Sequence, residues 1–356
     1  MDLFSAILDL FSARAPVGLE FDRAKIFTNQ AQAAARGSFE VLTDKFGNVI
    51  CHKPGTGPKI LVCAHLDEIG GTVLIVLDNG RLKFTNRGVL QARWLVSEEV
   101  LIRNDNGKWI NGIIGGKAAH AVPPDSRDKN HPDIHDLEIY IGLEKAEEVF
   151  QAGIHAGSPI VFAGEIKQLN PDFTPEIISG PSMDDLIGII TLLELMDQTA
   201  ELDLLVDLYL VATAREEVGG QGAVVAARAI QPDLIVAIDI GIVEKSPDTW
   251  DYGLKFSAAP VIVWQDSAGR TVYNTRACES LKQVGQAADI PVQDATFQFY
   301  GSDSGHTQEA LGIQAVLLAI PTLFSHNVPE VSRLDGARNC AALLKAWLLQ
   351  YPAESY

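Results

Sequence analysis

The sequence predicts an α/β fold, a mostly parallel sheet flanked by helices, with a small β-rich segment inserted into it. Three observations carry that prediction. Apolar runs of strand length, such as KILVCAH (Lys59 to His65) and DLIVAID (Asp233 to Asp239), show no polar alternation, the pattern of strands buried on both faces. From Leu186 onward such runs alternate with helical patterns, as strand–helix–strand crossovers do. Between Gly71 and Ile166 the texture changes to short alternating strands broken by Asn-Gly turns, with a single short helix, EKAEEVFQAG.

Along the chain, MDLFSAILDLFSARA comes first. Phe4, Ile7, Leu8 and Phe11 recur at helical spacing, and the segment has an early acid and no basic leader region. An amphipathic helix is expected there rather than a signal peptide. Helical patterns continue to about Arg36; then come strands FEVLTD and GNVICH, joined through Phe46-Gly47-Asn48, and the buried strand KILVCAH. In the β-rich stretch RLKFTN, EVLIRN, KWINGIIG and LEIYIG read as strands. Beyond it a helix is expected from Leu186 to Thr199, a strand at LLVDLYLVATA, a helix from Gly222, and strands at DLIVAID and APVIVW. A helix from Thr275 to Ala288, strand AVLLAI and a last helix from Asp335 to Leu349 complete the set. KILVCAH belongs with these later strands. Residues 1–70 plus 167–356 are therefore expected to form one α/β domain, with 71–166 inserted into it.

The chain has 356 residues, 47% hydrophobic and 21% charged, with a net charge of -18. So negative a surface repels nucleic acid and anionic lipid, and neither is expected as a partner. No run approaches membrane-spanning length, and a cytoplasmic location is expected. Four cysteines (Cys51, Cys63, Cys278, Cys340) form no CxxC pair and read as buried free thiols.

In a parallel sheet, ligands gather beyond the carboxyl ends of the strands. Ionisable residues of metal-ligand type stand there after several buried runs. His65 ends KILVCAH, and Asp67, two residues on, points the same way and can orient the imidazole through its second nitrogen. Asp184-Asp185 opens a helix; one aspartate suffices for a cap, and an adjacent second calls for a cation. Glu216-Glu217 follows LLVDLYLVATAR, Asp239 ends DLIVAID, and His326 lies in the loop after AVLLAI. If Asp184 bridges two ions, with His65 and Asp239 on one and Glu217 and His326 on the other, each ion gains three protein bonds. A shared solvent oxygen then makes four, as a catalytic zinc requires. His306 is expected near this site, His120 at a domain junction, and His52, His131, His135 and His155 on the surface or in loops.

The order HLDE, DD before a helix, EE after a strand, a strand-ending Asp and a late His resembles family forty-two of the metallopeptidases. The resemblance runs through GIIGGKAAH, DLEIYIG, EKAEEVFQAGIHAGSPI and GSDSG, nearly the whole chain. It implies a zinc-peptidase-like catalytic domain with an inserted dimerisation domain, and a cytosolic aminopeptidase built from dimers, up to a dodecamer. It implies two divalent cations per subunit, zinc with cobalt or manganese as alternatives, held by His65, Asp184, Glu217, Asp239 and His326. Glu216 would be the general base and Asp67 the residue that orients His65. The bond between Asp184 and Asp185 would be cis. The chain departs from the family pattern at Leu186, Asn327 and Ile240-Gly241, positions that bear on substrate preference and assembly. The expected substrates are peptides with a free amino end. An amidohydrolase of a small N-blocked metabolite, or a catalytically silent assembly protein on the same fold, remains as an alternative.

Overall fold

The computed structural model describes residues 1–123, 132–244 and 251–351. Its main sheet has nine strands. Across it run Glu40–Thr43, Val49–Lys53, Asp207–Thr213, Lys59–His65, Leu234–Ile242, Gln314–Thr322, Val261–Asp266 and Thr271–Val272, with Gln293–Thr296 paired to Val261–Asp266. The middle four, Asp207–Thr213 through Gln314–Thr322, are parallel and carry the continuous apolar runs of the sequence. The flanks are not: Val49–Lys53 and Val261–Asp266 join this group antiparallel.

Helices cover both faces. Met183–Thr199 lies against the parallel strands and is apolar almost all round, as a helix sandwiched between a sheet and other helices must be. Leu3–Ser12, Phe21–Ala35 and Leu334–Leu349 pack on it, while Gln221–Ile230 and Asp303–Leu311 pack together and against the same parallel strands. The first helix is capped by the Asp2 carboxylate, which accepts from the amides of Phe4 and Ser5. Its buried stripe is Leu3, Ala6, Ile7, Leu10 and Phe11; Leu8, expected on that face, falls outside the stripe and is 37% exposed. Asp303–Leu311 was not foreseen, because its buried residues are Asp303, Ser304, Gly305 and Thr307 and leave no apolar period to read.

The β-rich segment closes into a six-stranded barrel in the order Gly70–Val76, Leu82–Arg87, Glu138–Tyr140, Trp109–Gly115, Glu99–Arg103, Pro159–Phe162. Its apolar core, including Val73, Phe84, Ile102 and Ile139, is a cluster separate from that of the main sheet. A small sheet of Lys167–Asn170, Thr174–Gly180 and Glu330–Arg333 was also not foreseen. It fastens the chain leading to Asp184 against the chain leaving His326. All four cysteines are free and buried, and burial pushes the thiols of Cys51, Cys278 and Cys340 up to about 12. Among the described residues no helix is long and apolar enough to cross a membrane.

Candidate metal centre and active site

Five side chains from five separate segments meet at the carboxyl edge of the parallel strands. His65 is the last residue of its strand and only 2% exposed. Its Nε2 lies 2.9 Å from Asp184 Oδ1. On the other Asp184 oxygen, Oδ2, sits His326 Nε2 at 3.2 Å, and the same nitrogen is 3.8 Å from Glu217 Oε2. One donor atom each of His65, Asp184 and Asp239 lie within 4.8 Å of one another, and so do those of Asp184, Glu217 and His326. The two triads share Asp184.

Local structure explains the positions. The Asp184–Asp185 peptide is cis, and both residues are non-helical within the stretch Met183–Thr199. The two aspartates do different work. Asp185 accepts from the His65 amide at 3.2 Å and from the Gly188 amide at 3.0 Å, so it caps the helix and ties it to the strand end. Asp184, freed of capping, turns its carboxylate to the two imidazoles. Asp239 accepts from the Ile240 amide at 2.6 Å, and Tyr300, whose hydroxyl donates to the Ile240 carbonyl at 2.8 Å, packs beside it.

Asp67 departs from expectation. The partner of His65 Nδ1 is the backbone carbonyl of Asp67, at 3.1 Å, while the carboxylate stands 3.7 Å away. That carboxylate is already engaged: it accepts from the amides of Glu216 at 3.0 Å and Glu217 at 3.1 Å. Asp67 thus orients His65 through its main chain and holds the glutamate pair through its side chain.

Several supporting groups escaped the sequence reading. Glu330, buried, accepts from the Asp184 amide at 3.1 Å and the His326 amide at 2.9 Å, clasping two members of one triad. Glu68 receives Arg14 at 2.5 Å, Arg23 at 2.8 Å and the hydroxyl of Ser182, two residues before Asp184. His326 Nδ1 is held at 2.7 Å by the carbonyl of Val89, from the inserted segment, which leaves Nε2 facing the carboxylates. Only the fourth residue of HLDE, Glu68, was flagged by a motif. Of the other histidines, His306 lines the cavity over the site, as expected. His52 is not a loop residue; it lies in the strand Val49–Lys53, stacked on Tyr209 and 2.7 Å from Asp207. His120 is exposed, and His131 lies outside the described residues.

The electrostatics are those of an acid-rich pocket. Burial pushes the carboxyls of Asp239 and Glu216 well above the usual range, and that of Glu217 to about 7. Burial acts the same way on Asp184, but hydrogen bonds from His326 and His65 outweigh it and hold its pKa low. Burial disfavours a proton on either imidazole; the carboxylates overrule it, leaving His65 well above its usual value and His326 at about 10. Among the described residues no Lys or Arg lines this cavity. Glu217 Oε1 is buried without any hydrogen-bond donor, so a carboxylate oxygen has been taken out of water and given no protein partner. The donors are imidazole nitrogens and carboxylate oxygens, the set that zinc and its neighbours favour. The residues fit two divalent cations.

Known proteins similar to the chain are aminopeptidases. Over 311 residues the chain is 26% identical to the lysyl aminopeptidase of Pyrococcus furiosus, covering 87% of this chain and 86% of that one. A TET aminopeptidase from a marine sediment archaeon of the Thaumarchaeota superposes with a TM-score of 0.90 at 27% identity, over 99% of this chain and 98% of that one. Aminopeptidase APDkam598 from Desulfurococcus kamchatkensis gives 0.89 at 27% identity, over 99% and 96%. Residues 47–343 match the profile of the M42 glutamyl aminopeptidases, and the chain belongs to that family of peptide-bond hydrolases.

Proposed function

We propose that the protein is a two-metal aminopeptidase in which Asp184 bridges the ions, His65 and Asp239 complete one site, and Glu217 and His326 complete the other. One observation carries the reading: the two oxygens of Asp184 face the two imidazoles, at 2.9 and 3.2 Å, with a further carboxylate beside each. When bound, the cations supply Lewis acidity, drawing the pKa of a water toward neutrality and polarising a peptide carbonyl.

The remaining work falls to the chain. Glu216 lines the cavity, and burial, the largest cause, raises its carboxyl well above the usual range, which strengthens it as a proton acceptor. It takes the proton of the attacking water and hands it to the departing amine. Asp67 keeps Glu216 and Glu217 in register by holding both amides. The substrate's free α-amine, a cation, is drawn to the acidic floor, which confines cleavage to the first peptide bond.

Residues 1–70 plus 167–356 form the catalytic unit in this reading, and 71–166 serve as a dimerisation domain of a homo-oligomer. The buried free thiols fit a reducing cytoplasm. Metal analysis of purified protein tests the centre: two zinc, cobalt or manganese ions per chain are expected, and fewer than two after reloading defeats the proposal. Glu216→Gln should retain both ions and lose turnover by at least ~10²-fold. Retained turnover removes Glu216 from the role.

A further inference from the structure

We infer that the cavity selects peptides beginning with a basic residue, lysine or arginine, and rejects those beginning with an acidic one. This rests on the aminopeptidase reading and adds the side chain that the family's name does not settle for this chain. The cavity holds about 500 Å³, with Asp184, Glu216, Glu217 and Asp239 among its lining residues. The strand that carries Asp239 continues along the wall as Ile242 and, just past its end, Glu244. Tyr300, which lies against Ile240 and Asp239, adds an aromatic surface to the same wall.

The carboxylates of this cavity are not equivalent. Asp184, Glu217 and Asp239 would be offset by the two cations, and Glu216 is committed to proton transfer. Glu244 is left over. It is half-buried, and among the described residues it has no ion pair or hydrogen bond. A lysine or arginine side chain leaving the acidic floor could lay its apolar stem along Ile242 and Tyr300 and bring its charged head to Glu244. A glutamate or aspartate side chain would meet Glu244 instead, with no Lys or Arg among the described lining residues to pair with it. Discrimination of this kind comes as much from the repelled competitor as from the favoured ligand.

The test uses metal-loaded protein and the p-nitroanilides of lysine, arginine, leucine and glutamate. Lysine and arginine should exceed leucine in kcat/KM by about tenfold and glutamate by about a hundredfold or more. Glu244→Gln should lower the lysine-to-leucine ratio about tenfold, and Glu244→Arg should raise glutamate above lysine. Binding gives a second readout: Glu216→Gln protein titrated with Lys-Ala should show at least about tenfold tighter binding than with Glu-Ala. Equal binding of the two dipeptides, glutamate turnover matching lysine, or an unchanged ratio in Glu244→Gln overturns the inference. Leucine turnover separates the two levels. If leucine is cleaved but lysine is not preferred, only the specificity falls; if no aminoacyl substrate is cleaved, the aminopeptidase reading falls as well.

Discussion

Replacing Gly88 by alanine is expected to weaken one of the two proposed metal sites and spare the other. Gly88 has φ +81°, and an added Cβ would stand 2.8 Å from Ile69 Cγ2 and 2.9 Å from Glu217 Oε2. Ordinary contact begins near 3.4 Å, so Glu217 must retreat by about half an ångström or the loop must move. Holding alanine in the left-handed region costs a further ~1–2 kcal/mol. Either adjustment reaches the same site, because the neighbouring Val89 carbonyl holds His326 Nδ1 at 2.7 Å. Metal ligands tolerate displacements of about 0.2 Å, and disturbing the groups that orient them costs roughly 10–100-fold in affinity. The Glu217–His326 site should therefore lose about 1.4–2.7 kcal/mol of binding. The His65–Asp239 site, whose two residues have no hydrogen bond to Gly88 or Val89 among the described residues, should keep its affinity. Calorimetric titration of metal-depleted protein with zinc resolves this as a change in one of two steps. Two unchanged steps would show that the inserted segment does not support the centre. Equal weakening of both would point to a general loss of fold, which far-ultraviolet circular dichroism would register.

Three further outcomes follow from the surrounding carboxylates. Glu330→Gln places an amide NH2 against one of two backbone N–H donors, and metal affinity should fall roughly 10–100-fold, read by the same titration. Glu68→Gln leaves Arg14 and Arg23 buried without their carboxylate and should cost about 3–5 kcal/mol in chemical denaturation at pH 7. Burial opposes the Glu68 charge, but the two guanidiniums outweigh it and hold its pKa down to about 2. A depressed folded pKa stabilises above the ordinary carboxylate value and ceases to as pH falls through the folded one. The gap between wild type and Glu68→Gln should thus narrow from about pH 5 to pH 2, and a gap independent of pH there would refute the assignment. Finally, His326, at about 10, holds a proton at neutral pH that a bound cation would displace, and the carboxylates raise His65 in the same direction. Zinc binding should release about one proton or more, seen as an enthalpy that varies with buffer ionisation, and affinity should climb with pH towards 10. A buffer-independent enthalpy would contradict this.

The proposed ligand set was legible because each member follows a run whose burial the sequence announces. His65 and Asp239 end apolar strands, and Glu216-Glu217 stand just past another, so a charge in those places needed a reason. The clasp around them was not legible. Val89 acts through its carbonyl on a residue 237 positions away, and a carbonyl leaves no mark in a sequence. Glu330 reads as the first residue of a short, mixed strand until the small sheet brings it beneath Asp184 and His326. Asp67 was singled out for the right neighbourhood and the wrong atom: alternation gave the direction of its side chain but could not tell that two amides would reach it first. The barrel's strands could be read from their turns; its closure, Gly70–Val76 against Pro159–Phe162, depends on pairing across the whole insertion.

The structure also sorts the acids in a way the sequence could not. Asp67, Asp185, Glu68 and Glu330 are all buried, and in each both carboxylate oxygens accept from protein donors: amides, guanidiniums or a hydroxyl. A carboxylate held at both oxygens by backbone amides, guanidiniums or a hydroxyl is fixed in place and acts as scaffold. Asp184 turns both oxygens to imidazoles, and Glu217 leaves Oε1 bare. Asp303 also has a bare oxygen, but it opens the helix Asp303–Leu311, whose backbone dipole favours a negative charge at that end. Glu217 opens no helix, and its nearest positive partner is the His326 imidazole, 3.8 Å from Oε2. Burying a carboxylate without a partner is costly enough that a protein either leaves it protonated or supplies a cation. Glu217, at about 7, stands at that boundary without metal, and His326 beside it is held protonated. The imidazolium therefore occupies the electrostatic place that a divalent cation would take. The same contacts thus stabilise the acid cluster without a cation, and on the two-metal proposal an exchange of protons for metal is the property on which loading would depend.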